Sequence, residues 1–233
     1  MFGLFIDPLY FIVMIPGFLL AGWASMKVKS TFAKYSRIRS SRGLTGAETA
    51  RQILRSRGIH DVHVEEARGF LSDHYDPRSR TVRLSPQVYR EPSVASMAVA
   101  AHEVGHALQH ADGYAPLALR SAAIPLAQLG SYAPWIIMIG GFLLHMLELV
   151  YVGVALFAVT VVFQLITLPV EFNASSRAKD QLAQMGLVSN SDARGVSKVL
   201  SAAAMTYVAA AVTAVMTLLY YLFRLGLLNS RDD

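Results

Sequence analysis

A set of uncharged apolar tracts, long enough to cross a bilayer, limits what this chain can fold into more than any other feature. Residues 8–24 (PLYFIVMIPGFLLAGWA) carry no charge, and a helix needs roughly 17 to 20 such residues to span a membrane. A second tract runs from about Ala133 to Pro169, and its only ionisable side chains apart from tyrosine are His145 and Glu148. It is too long for one span and fits two short ones joined near residues 145–149. The last tract, about Ala202 to Phe223, is uncharged throughout. About four transmembrane helices are therefore expected, with Pro16, Pro134 and Gly140-Gly141 as kinks or close-packing points. The balance of the chain agrees: it is 54% hydrophobic and 16% charged, where a soluble domain carries about a quarter charged residues. The first tract is preceded by Asp7 and followed by Lys27, Lys29 and Lys34. A cleaved signal peptide opens with a basic region instead, so this tract reads as a retained anchor.

The basic residues orient the spans. Fifteen Lys/Arg lie between the first and second spans, six of them within Lys27–Arg42 where there is no acid. Four more (Arg177, Lys179, Arg194, Lys198) lie between the third and fourth, the turn at 145–149 has none, and the termini add Arg224 and Arg231 beside Asp7, Asp232 and Asp233. The positive-inside rule then places both large loops in the cytoplasm and both termini outside, in the inner (plasma) membrane. The same asymmetry explains the net charge of +5 without nucleic acid, for which the chain shows neither aromatic interleaving nor a fold signature. The expected organisation is an N-terminal anchor (1–26), a cytoplasmic part (27–122), a transmembrane hairpin (123–169), a cytoplasmic helical segment (170–199), and a C-terminal transmembrane helix with its tail (200–233).

Local order in the first loop is legible. Thr45 and Glu48 form a capping-box pattern that opens a helix running to about Arg57 and stopping at Gly58. Three strand-like runs follow, at roughly 61–65, 69–74 and 80–85, the last two separated by the turn sequence Asp76-Pro77-Arg78-Ser79. Ser93 caps a helix of about 94–111 that ends at Asp112-Gly113.

That helix contains His102-Glu103-Val104-Gly105-His106, an H-E-x-x-H pattern. Residues four apart share a helical face, so both imidazoles reach one ion, and Glu103 sits where it reaches a water on that ion. With 7 His in the chain and as many Glu, random placement yields only about 0.006 such matches. There is no cysteine, so any metal must be held by His, Asp or Glu. Zinc with three protein ligands keeps a position open for water, lowers its pKa to about 7 and polarises a carbonyl. Glu103 would take the proton and deliver it to the leaving amine.

A third ligand is required. His110 continues the four-residue series, but eight residues of helix advance about 12 Å, while zinc ligands lie within about 2.1 Å of the ion. His60, His63, His74, the loop carboxylates and Glu171 are the remaining candidates. Glu171 follows Pro169 at the cytoplasmic end of the third span, and Ser175 one turn later is placed to orient its carboxylate.

The segments AAHEVGHALQHADGY (100–114), SDHYDPRSRTVRLSPQVY (72–89) and EFNASSRA (171–178) together resemble the YugP-type membrane zinc metallopeptidases of bacteria. More distantly they resemble the HtpX-type gluzincins. The resemblance covers nearly the whole chain and implies His102, His106 and Glu171 as zinc ligands, one ion per chain, with Glu103 as base. The family segment commonly reads E-F-D-A-S, and here Asn173 replaces the aspartate, keeping a hydrogen-bonding carbonyl without the charge. The fold expected is an α-helical integral membrane protein with a small α+β zincin-like cytoplasmic part. The function expected is zinc-dependent endopeptidase activity at the cytoplasmic membrane face, on peptide or protein substrates, membrane proteins among them. Two alternatives are a zinc-binding membrane scaffold without proteolysis and a zinc hydrolase of a non-peptide amide. His74, Tyr75 and Arg177 are candidates for stabilising an oxyanion. The alternating run through Arg80, Val82 and Leu84 is a candidate exposed edge for an extended peptide.

Overall fold

The computed structural model describes residues 8–226; the terminal charges Asp7, Arg231, Asp232 and Asp233 used in the topology argument lie outside them. In chain order the elements are α1 (Pro8–Ser36), α2 (Gly46–Ser56), β1 (His63–Glu66), β2 (His74–Asp76), β3 (Thr81–Leu84), α3 (Pro86–Arg90), α4 (Val94–Ala111), α5 (Ala115–Leu143), α6 (Leu147–Gln184) and α7 (Asn190–Arg224). They form two compact units, one comprising Ala24–Ala118 and Pro169–Met205, the other the remaining described residues.

In the first unit, α2 opens with the expected capping box. Thr45 Oγ1 accepts from the Glu48 N–H at 3.2 Å, and the Glu48 carboxylate accepts from the Thr45 N–H at 2.8 Å, satisfying two of the N–H groups a helix start leaves unpaired. The helix is terminated just before Gly58, whose φ of 68° is the left-handed value glycine adopts without a Cβ penalty. Ser93 Oγ accepts from the Ser96 N–H at 3.1 Å to start α4, which then runs alanine-rich and almost wholly buried. Ile53 and Leu54 of α2, Val82 and Leu84 of β3, and Met97 and Val104 of α4 share one core with Leu182 and Val196. Burying a side chain of this size contributes about 1.5–3 kcal/mol.

The sheet order is β1-β3-β2, with β3 parallel to β1 and antiparallel to β2. This corrects the expectation of an exposed edge through Arg80, Val82 and Leu84. Val82 and Leu84 are fully buried, so the strand that carries them takes the centre, and its backbone groups are engaged by β1 and β2 on either side. Arg80 precedes β3, at φ 48°, with its guanidinium paired to Asp61. The run expected over 69–74 is also displaced, because β2 begins only at His74. Gly69 (φ 106°) and Leu71 (φ 53°) bend the chain, leaving Phe70 and Leu71 exposed. Asp73 then ties down the end of the bend, accepting from the Ser85 N–H at 2.7 Å, although burial pushes its carboxyl above the ordinary range.

In the second unit, Met14, Met138, Val150, Val154, Tyr220 and Tyr221 form a separate cluster. Its helices also bond through small residues: Thr213 donates to the Gly17 carbonyl at 3.2 Å and Thr160 to the Gly130 carbonyl at 3.0 Å. The second tract breaks into two helices at Leu144–Met146, slightly ahead of the expected 145–149, and His145 there adopts φ 59°. Of the glycine pair, Gly141 is closely packed against Met146 and Leu149, whereas Gly140 faces open space. Among the described residues four helices, α1, α5, α6 and α7, are long and apolar enough to cross a membrane. Ile12, Leu19, Leu129, Ile136 and Leu143 remain exposed on them. Each helix is longer than its apolar tract, and α5 already begins at Ala115.

Candidate metal centre

The site is built from α4 and the part of α6 that begins at Pro169. His102 and His106 lie one turn apart on α4, and Glu171 faces them from α6. His102 Nε2 is 3.1 Å from Glu171 Oε2, and His106 Nε2 is 3.7 Å from Glu171 Oε1. The two rings stand edge to face, 4.9 Å between centroids. Among the described residues these three form the His/Asp/Glu group whose ligand atoms all lie close enough to share one ion, within 4.8 Å of one another.

Two nitrogens and a carboxylate oxygen are donors zinc accepts, and tetrahedral ligands about 2.1 Å from an ion are roughly 3.4 Å from each other. The observed separations bracket that value, so the residues fit zinc. The side chain of Glu171 is only 3% exposed, and a buried charge of this kind persists only where it is paired or holds a metal.

The helices approach closely enough to allow this because residue 105 is glycine. A Cβ there would meet the Ala174 carbonyl oxygen at 2.4 Å. Glu103 is buried on α4, one turn before His106, where helical neighbours three apart share a face.

Both imidazoles are held from behind. His102 Nδ1 lies 3.1 Å from Ser175 Oγ, and His106 Nδ1 lies 3.0 Å from Gln109 Oε1. Gln109 is fully buried and donates through Nε2 to the Val170 carbonyl at 2.8 Å and to Asn173 Oδ1 at 3.0 Å. Asn173 Oδ1 also accepts from Arg177 Nε at 2.8 Å, and Arg177 pairs with Asp112 and lies over the Tyr114 ring. Ser175, expected beside Glu171, is thus set against His102, and Arg177 has its donors on Asn173 and Asp112. Asn173 serves as an acceptor, a role its carbonyl fills without the charge of an aspartate.

The structure gathers His102, His106 and Glu171 and leaves the other histidines elsewhere. His60, His63 and His74 are exposed, and His74 Nδ1 lies 2.8 Å from the Ser72 carbonyl in its own bend. His110 Nδ1 is 2.8 Å from the Tyr75 hydroxyl, at a cavity of about 300 Å³ lined also by Ile59, Val62, Asp61 and Arg80. Burial pushes the Tyr75 phenol up to about 12, so at neutral pH it carries its proton. Next to it, the Ser79 hydroxyl first, then backbone N–H groups and Arg83, pull Asp76 down to about 2. Gln109 was not foreseen from the sequence. The available signal was its phase, three residues after His106 and seven after His102, which puts an amide on the ligand face of the helix.

Residues 10–226 match the family model described as "Putative neutral zinc metallopeptidase". A protein of Bacillus subtilis (strain 168) named "Putative membrane protease YugP" is 50% identical over 225 residues, covering 97% of this chain and 99% of its own. No solved structure matches the chain significantly.

Proposed function

This chain belongs to that neutral zinc metallopeptidase family, and from this premise we propose that it is a zinc-dependent endopeptidase embedded in the inner membrane, working at the cytoplasmic face. The observation that carries the reading is the convergence of His102 Nε2, His106 Nε2 and the Glu171 carboxylate. These three residues would hold the ion, a His-His-Glu set of the gluzincin kind. Bound there, zinc lowers the pKa of a coordinated water toward neutrality and polarises a substrate carbonyl.

The remaining chemistry is the chain's own. The Glu103 carboxylate accepts a proton from the attacking water and delivers it to the nitrogen of the leaving amine. Burial on α4 keeps that carboxylate away from bulk water. Ser175 and Gln109 hold the two imidazoles in place. A site that only bound zinc for structure or scaffolding would have no need of a base at Glu103. The order of the chain supports the location, since Glu171 lies two residues after Pro169, at the end of an apolar tract. The basic residues of both intervening loops favour the cytoplasmic side.

The test is hydrolysis of an unstructured protein such as casein by the purified, zinc-loaded chain, beside Glu103→Gln. A general acid–base group contributes about 100-fold to 10,000-fold. Glu103→Gln should therefore keep its zinc and lose activity by that factor. Equal turnover in the two proteins would remove the base, and a zinc-loaded wild type inert on peptides would favour a non-peptide amide as substrate.

A further inference from the structure

The donors and acceptors behind His106 form a chain in which each step dictates the next. It starts from Arg177, whose guanidinium can only donate. Its Nε lies 2.8 Å from the Asn173 side chain, so the atom presented there is the amide oxygen. That oxygen, together with the Val170 carbonyl, faces one end of the Gln109 amide at 3.0 and 2.8 Å. Two acceptors demand a donor between them, so this end of Gln109 is its NH₂. The other end is then its oxygen, which lies 3.0 Å from His106 Nδ1 and can only accept. Nδ1 must carry the proton, and the lone pair of the neutral ring is left on Nε2, the nitrogen that faces Glu171.

We propose that Gln109 is a positioning residue for the zinc site: anchored by the Val170 carbonyl and by Arg177 through Asn173, it selects the His106 tautomer whose Nε2 is free to bind the metal. Gln109 is itself fully buried, so its amide has no water with which to exchange these bonds, and turning it over would oppose two acceptors to its oxygen. The inference rests on zinc binding at His102, His106 and Glu171.

It is tested on the full chain in detergent, by competition against a chelator, with two substitutions that separate hydrogen bonding from space filling. Gln109→Met fills a similar volume but offers His106 no oxygen. Gln109→Glu keeps the oxygen facing Nδ1 while setting a second one against Val170 and Asn173. Loss of such a supporting partner typically costs 10- to 100-fold in metal affinity. The zinc Kd of Gln109→Met should rise by about that factor, whereas Gln109→Glu should bind zinc more tightly than Gln109→Met although its metal-free form melts lower. A purely structural role gives the reverse order in affinity, following the melting temperatures.

A second measurement needs no variant. Long-range ¹H–¹⁵N spectra of the zinc-loaded wild type, labelled at histidine, should show His106 bound through Nε2 with a proton on Nδ1. Zinc affinity within about threefold of wild type in Gln109→Met, or ligation through Nδ1, overturns the proposal. A wild type that binds no zinc overturns instead the metal site on which it stands.

Discussion

Replacing Gly105 by alanine puts a methyl group where α4 and α6 touch. The added Cβ would lie 2.4 Å from the Ala174 oxygen, 3.0 Å from its carbonyl carbon and 3.1 Å from its Cα. All three are backbone atoms within a helix, so no side chain can swing away to make room. Restoring an ordinary contact of about 3.4 Å to the oxygen requires roughly 1 Å of separation, whereas zinc–ligand distances hold within about 0.2 Å. Gly105 adjoins His106, and Ala174 lies one turn beyond Glu171, so the displacement falls on opposite sides of the ion. Overpacking of this kind costs about 1–3 kcal/mol. If releasing the ion relieves that strain, the zinc Kd rises by roughly 5- to 150-fold. Alanine is favoured over glycine in a helix by up to about 1 kcal/mol, so the metal-free fold should survive. Chelator competition measures the affinity, with Gly140→Ala as the control because its Cβ meets nothing within 4 Å. Wild-type zinc affinity in Gly105→Ala would refute the argument that this glycine sets the distance between ligand helices.

Three further outcomes follow from the same account. Single cysteines placed at 60 or 190, in a chain with none of its own, should resist an impermeant maleimide in intact cells and react after lysis; labelling of intact cells would invert the topology. Glu171→Asp withdraws the carboxylate by one methylene and should bind zinc with affinity between wild type and Glu171→Ala, as read by the same competition assay. The Asp76 carboxyl is held at about 2 against an ordinary 3.8, a depressed value, so its contribution to stability is present above about pH 4 and fades as pH falls toward 2. Melting temperatures of Asp76→Asn should therefore lie below wild type at pH 6 and converge with it near pH 2, and a constant gap would show that the contribution is not ionic.

What could be read in advance follows from how local each signal is. Ser93 and Gly113 bracket α4, and four-residue spacing puts His102 and His106 on one face, because caps and helical periodicity act within a few residues. Glu171 lies 65 residues beyond His106; its place at the end of the third span brought it to the same side as the motif, and the resemblance of its segment to known metallopeptidases selected it among the remaining candidates. The central place of β3 was hidden because alternation of Val82 and Leu84 with polar residues reads alike at an edge and at a centre. Burial of both side chains, a tertiary fact, decides between them. Gln109 reads as helix surface until α6 is packed against it, and Ser175 could be paired with Glu171 by spacing alone until the fold turned it toward His102.

Metal content of three purified proteins, wild type, Glu171→Ala and His110→Ala, tests the central claim most directly. The geometry places Glu171 with His102 and His106 and sets His110 against Tyr75 instead. About one zinc per chain is expected in wild type and in His110→Ala, and none in Glu171→Ala. Full zinc in Glu171→Ala, with loss in His110→Ala, would contradict the site at its third ligand.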